Sequence, residues 1–97
     1  MNVATDRLSP GVAQKLIRKI LKDGQVSWSM HAQEEMKKDD LTMVDCANVL
    51  RAGVVEEPEF ERGTWRYRLR TQKIFVVVAF RSDTELSIVT TWRVGKP

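Results

Sequence analysis

This chain is short of the residues that anchor common kinds of chemistry. A single cysteine, Cys46, in 97 residues excludes an internal disulfide and a cysteine-based metal cluster. A single histidine, His31, argues against a zinc site. No apolar run reaches the length of a membrane span; the longest, Ile74 to Phe80, is strand-sized. There is no glycine-rich phosphate loop, no serine nucleophile elbow and no carboxylate constellation suited to a divalent metal. Repeats, low-complexity segments and linkers are missing too. The opening Met1-Asn2-Val3-Ala4-Thr5-Asp6 is polar and lacks the apolar region of a signal peptide. The expectation is a protein of the reducing cytoplasm with no membrane partner, no metal and no cofactor.

What remains is one ordinary globular domain, residues 1–97, with 42% apolar and 30% charged residues. Its net charge of +3 is unevenly spread. Residues 1–24 carry five basic and two acidic side chains, residues 25–63 four and nine, and residues 64–97 seven and two. Two basic ends flank an acidic middle. That middle can turn away wrong partners or sit beside the basic strands and neutralise part of their charge.

The first half has helical spacing. Ser9-Pro10 opens a helix, with serine as the cap and proline at the first helical position. Val12, Leu16, Ile17, Ile20 and Leu21 follow as its apolar stripe, and Gly24 stops it. Gln25 to Trp28 reads as a short strand or an extended linker. Ser29 caps a second helix through Met36, which Asp39-Asp40 breaks. Thr42-x-x-Asp45 is a capping box for a third helix, which Gly53 ends.

After Gly53 the period becomes that of strands. Val54 to Glu61 is a strand or extended arm, and Pro58 within it demands an edge or a bulge. Arg62-Gly63 turns the chain into a strand from Thr64 to Thr71. Ile74 to Arg81 reads as a central strand covered on both faces. Glu85 to Arg93 alternates Leu86, Ile88, Thr90 and Trp92 against Ser87, Val89, Thr91 and Arg93. A frayed tail, Gly95-Lys96-Pro97, follows. The fold expected is α+β, with N-terminal helices packed on one face of a four-stranded antiparallel sheet.

Chemistry concentrates in few places. Thr64-Trp65-Arg66-Tyr67-Arg68-Leu69-Arg70 puts three guanidiniums on one strand face. Such a row is costly unless something anionic answers it, and a nucleic-acid backbone is one answer. A plain solvated strand face is the other. Arg81 and Arg93, at strand ends, add to the basic set. Tyr67, Trp65 and Trp92 offer stacking surfaces for bases, although Trp65 and Trp92 are expected in the core under the helices. His31 sits near a helix N-terminus, where the dipole favours neutral imidazole. It is there either as a base or to hold the helix in place by a hydrogen bond. Glu35, one turn later, is spaced to orient it; Glu34 and Glu35 are otherwise solubilising residues. This inventory suffices for RNA cleavage by the RNA's own 2′-hydroxyl, which needs no protein nucleophile and no metal.

Ser29-x-His31-Ala32-x-Glu34-x-Met36, Leu41-Thr42-x-x-Asp45 and Gly53-x-Val55 resemble the opening of domain-of-unknown-function family 4258. Val76-Val77-Val78 and Ile88-Val89-Thr90-Thr91-Trp92 look like that family's final hairpin. The resemblance runs from Trp28 to Arg93. The family in turn looks related to RelE-like and MqsR-like toxins of bacterial toxin–antitoxin pairs, in the wider barnase–colicin–RelE group. The resemblance implies a RelE-like fold, metal-independent endoribonuclease activity on messenger RNA, free or on the ribosome, and a cognate antitoxin partner. It implies catalytic roles for His31, Arg66 and Arg68, and the i+4 spacing adds Glu35 to orient His31. It implies RNA contacts at the Thr90-Thr91-Trp92-Arg93 end, to which the residues themselves add Arg70, Arg81 and Tyr67 as RNA-contact candidates. The chain departs from the RelE-like pattern in having no tyrosine or histidine after its last strand, which leaves the general acid unassigned. A catalytically inert RNA-binding or protein-binding module of the same fold is the alternative reading. A third is an antitoxin-like partner whose acidic Glu56–Glu61 segment docks a basic protein.

Overall fold

A computed structural model describes residues 2–95; Met1, Lys96 and Pro97, and with them most of the expected frayed tail, lie outside the described residues. The chain begins with α1, Pro10–Asp23. Ser9 caps it, its Oγ accepting the Val12 N–H at 3.3 Å, and Ala13, Ile17 and Ile20 are its buried face. Gly24 then lets the backbone pass against the loop before the last strand. A Cβ there would lie 2.3 Å from the Thr84 carbonyl oxygen. The next N–H, of Gln25, donates to that same oxygen at 2.9 Å.

This close passage starts β1, Gln25–Trp28, which is a true strand and not a linker. It runs parallel to the final strand, pairing Gln25 with Glu85 through Trp28 with Ile88. Two helices follow, α2 (Met30–Lys38) and α3 (Met43–Ala52). The capping box at α3 is complete: the Asp45 carboxylate accepts the Thr42 N–H at 2.8 Å and the Thr42 hydroxyl accepts the Asp45 N–H at 3.1 Å. Hydrogen bonding to its carboxyl from the Thr42 backbone and side chain holds Asp45 below its ordinary pKa, with a smaller contribution from the Arg93 charge.

The segment Val54 to Glu61 divides at Pro58 into two short strands, β2 (Val54–Val55) and β3 (Glu59–Glu61). Both pair antiparallel with β4, Thr64–Arg70. A two-residue turn joins β3 to β4. Arg62 and Gly63 both have positive φ, 51° and 82°, as hairpin turns of this length require. β5 (Ile74–Phe80) and β6 (Glu85–Arg93) complete the sheet. Its order is β1-β6-β5-β4-β2, with β3 also on β4.

The protein is therefore α+β, with three helices and an open six-stranded sheet among the described residues. Two features depart from the four-stranded antiparallel sheet expected of a RelE-like fold. β1 is inserted between α1 and α2 as a parallel edge strand, and Pro58 splits one expected strand into two.

One sheet face carries Tyr67, Leu69, Val76, Val78, Leu86 and Ile88, all fully buried against the helices. Ile17 and Ile20 of α1, Ala32 and Met36 of α2, and Val49 and Leu50 of α3 complete this core. No helix among the described residues lies over the opposite face. Phe75 and Val77 lie there half-buried, so β5 is central in the sheet but covered on one side only.

A bulge changes how the last strand reads. Val77 pairs with Thr90 but Val78 pairs with Ile88, leaving Val89 as the extra residue. The alternation flips at that point. Leu86 and Ile88 face the helices before the bulge, and after it Thr91 takes the inner side, fully buried beside Cys46. Thr90 and Trp92 move to the open face instead of continuing the Leu86–Ile88 row.

Candidate functional site

The open face of the sheet forms the floor of a cleft of about 650 Å³. Three elements bring its polar residues together. β4 contributes Arg66 and Arg68, β6 contributes Thr90 and Trp92, and α2 contributes His31. Val77 and Val89 supply apolar floor. The remaining wall is the arm around β3, with Glu57, Glu59, Glu61 and the turn residue Arg62.

Each wall is fixed by identifiable bonds. The start of α2 is tied to the bulge in β6. The Ser29 hydroxyl donates to the Val89 carbonyl at 2.8 Å while accepting the Ala32 N–H at 2.9 Å, and the Ser29 N–H donates to the Ile88 carbonyl at 3.0 Å. This double use of Ser29 sets exposed His31 at the cleft rim, near Val89 and Thr90. The far end of α2 is tied to β6 by Arg93. Its Nε and Nη2 donate to the Asp39 and Asp40 carbonyls at 2.7 and 2.9 Å, and its N–H donates to Asp39 Oδ2 at 2.9 Å.

The arginines on β4 are not equivalent. Arg68 is paired with Glu56 at 3.4 Å and Glu59 at 3.7 Å. Arg70 is paired with Glu56 at 2.8 Å and does not line the cleft. Arg66 stands opposite Glu59 in the hairpin register, yet it belongs to no ion pair among the described residues, and its Nε is buried without a hydrogen-bond partner. Glutamates of the acidic middle thus pair with two of the three guanidiniums and leave Arg66 without an ion pair inside the cleft.

Of the residues singled out in the sequence, His31, Arg66 and Arg68 are brought together. Glu35 is not among the lining residues and pairs with Lys38 at 3.6 Å. Arg81, exposed at the end of β5, and Arg93, engaged with Asp39 and Asp40, do not line the cleft either. Tyr67 is in the core, fully buried, its oxygen accepting the Leu8 N–H at 2.8 Å. Burial pushes its phenol above the ordinary pKa, against the pull of the Leu8 bond and the Arg7 charge. Thr91 is equally buried and donates to the Phe75 carbonyl at 2.7 Å. Trp65 packs on the core as expected, but Trp92 does not; it lies on the open face against Phe75.

Sequence reasoning missed Glu57, Glu59, Glu61 and Arg62 as cleft residues. The signal for Glu59 was present. Counting back from the two-residue turn at Arg62-Gly63 pairs Glu59 with Arg66 on one face. Among the described residues no three of His, Cys, Asp and Glu gather so as to hold a metal ion, and no helix is long and apolar enough to cross a membrane.

A family model described as a domain of unknown function, DUF4258, matches residues 28–93. The chain belongs to the DUF4258 family. The match begins at the last residue of β1 and ends with β6, so every residue lining the cleft lies within the DUF4258 segment, whereas α1 precedes it. No curated protein and no solved structure matches the chain. Within the matched segment, Ser29 clamps α2 to the bulge and His31 places the imidazole at the cleft rim.

Proposed function

We propose that this DUF4258 domain is a metal-independent endoribonuclease of the toxin kind, cutting single-stranded messenger RNA in the open-face cleft. The observation that carries the reading is the presence of a guanidinium without an ion pair, Arg66, in the same cleft as the chain's one imidazole. A phosphodiester answers Arg66 without breaking any existing ion pair. Its charge-assisted bonds to the guanidinium strengthen as the phosphorus becomes pentacoordinate and gains negative charge.

The chemistry needs a base for the 2′-hydroxyl and an acid for the departing 5′-oxygen. Two kinds of titratable group line the cleft, His31 and the carboxylates of Glu57, Glu59 and Glu61. One takes the 2′-proton as that oxygen attacks phosphorus, and the other gives a proton to the 5′-oxygen as its bond to phosphorus breaks. The products are a 2′,3′-cyclic phosphate and a 5′-hydroxyl. Arg68 joins when RNA phosphate displaces Glu59, whose side chain is 74% exposed. A cognate antitoxin would act by covering this cleft.

A second reading is a binding module of the same fold without cleavage. It is favoured by the balance of charge around the cleft, where three glutamates face three arginines and Arg68 is already engaged. Induction of the wild-type chain and of Arg66→Ala in bacteria separates the two. The nuclease reading predicts growth arrest with fragmented messenger RNA for wild type and neither for the variant. Intact RNA under wild-type induction rejects it.

A further inference from the structure

The chain has three tryptophans, and only two serve the core. Trp28 and Trp65 pack against the buried cluster. Trp92 lies on the opposite face of the sheet, half-buried, and lines the cleft. Its ring stacks on Phe75 with centroids 4.9 Å apart and planes 21° from parallel. Phe75 in turn lies under the Arg68 guanidinium, 5.7 Å from its ring centre. Val77 and Val89 extend this apolar floor. No helix among the described residues covers it.

The bulge at Val89 is what creates this surface. Were the strand to alternate regularly through Val89, Trp92 would continue the row of Leu86 and Ile88 into the core, and Thr91 would face the cleft. The register shift instead brings a large aromatic ring into the cleft that holds Arg66.

We propose that Trp92, backed by Phe75, is a stacking subsite for an unpaired nucleobase of RNA whose phosphate is held by Arg66. The inference rests on the nuclease reading and names the form of its substrate. A ligand suited to this cleft has a flat π face and an anionic group on one molecule, because the cleft offers an aromatic wall and a free guanidinium together. A single-stranded nucleotide unit has both. A duplex keeps its base faces stacked inside and presents only its backbone. Stacking carries no donor–acceptor code, so the subsite accepts any base, and selection acts on strandedness. The volume of about 650 Å³ lies within the roughly 300–1,000 Å³ usual for small-ligand sites.

The test uses a short single-stranded 2′-O-methyl RNA, which binds without being cut, and an abasic chain of equal length and phosphate count. The full chain is titrated with each while tryptophan fluorescence and anisotropy are followed. The base-bearing strand should bind about tenfold or more tighter than the abasic one, the scale expected for one base–aromatic stack. It should also quench tryptophan emission. Trp92→Ala should remove that advantage, whereas Trp92→Phe should keep most of it and lose the quenching. Arg66→Ala should weaken both strands by similar factors.

Equal binding of the two strands by wild type, with Arg66→Ala weakening both, overturns the base subsite and leaves the phosphate reading standing. Failure of wild type to bind either strand overturns the nuclease reading and the subsite with it. The comparison of strands on wild-type protein needs no variant, so a folding defect in Trp92→Ala does not blunt the test.

Discussion

Changing Tyr67 to phenylalanine removes one oxygen from the centre of the protein and leaves the ring. Tyr67 is fully buried, and its oxygen accepts the Leu8 N–H at 2.8 Å, with Leu8 itself 2% exposed. The variant keeps the edge-to-face contact with Phe80, 5.2 Å between ring centres. It strands one backbone N–H away from water, which costs about 1–3 kcal/mol. In a domain of this size each kcal/mol moves Tm by about 4–8 °C, so a fall of roughly 4–24 °C is expected. Thermal melting by circular dichroism reads this directly, and urea titration should show a lower midpoint with an unchanged slope. RNA binding, measured well below both melting temperatures, should not change, because the hydroxyl is on the face away from the cleft. The pH dependence gives a second check. Burial raises the folded phenol's pKa above its ordinary 10.0, so the neutral form is the one the fold favours. That contribution is present in full below the unfolded value and is lost as pH rises through the folded one. The phenylalanine variant should lack this alkaline loss. An unchanged Tm would mean that the Leu8 N–H finds another acceptor, and the assignment of Tyr67 to the core's polar bonding would fall.

Other outcomes follow from the same geometry. Arg66→Ala should weaken single-stranded RNA binding by about 1.5–3 kcal/mol, whereas Arg70→Ala, outside the cleft and already paired with Glu56, should leave it nearly unchanged; anisotropy titration compares them. Asp45, held below its ordinary 3.8 by the Thr42 bonds, stabilises the start of α3 above that value and loses this effect as pH falls through its lower folded value. Asp45→Asn should therefore show a shallower acid-side fall in Tm than wild type. Cys46 is fully buried and burial raises its thiol pKa, so a maleimide should label it only as the protein unfolds; rapid labelling of native protein would contradict its placement.

Local chemistry was the legible part of this sequence. Ser9, Ser29 and Thr42 marked the three helix starts because a cap needs only residues within one turn. The β4 alternation was equally readable, since Tyr67 and Leu69 are buried as their spacing demands. What escaped notice depends on pairing across the chain. The β1–β6 contact joins segments about sixty residues apart and leaves no local signature. The bulge at Val89 also has none, yet it exchanges Thr91 for Thr90 and Trp92 in the cleft. Arg93 looked like a strand-end cation, and its engagement with Asp39 and Asp40 emerges only once α2 lies along β6. The acidic middle's second role, neutralising the basic strands, is borne out by Glu56 and Glu59 on Arg68.

The most direct test of the central claim is cleavage of one RNA sequence by purified protein in excess chelator, beside the same sequence with every 2′-hydroxyl blocked by a methyl group. Cleavage of the first strand alone is predicted, leaving 2′,3′-cyclic phosphate ends. With His31→Gln, folded as wild type is, the rate should fall by roughly 10²–10⁴. Cutting of the blocked strand, or no cutting of the unblocked one by wild-type protein, would contradict the assignment of the cleft to RNA cleavage.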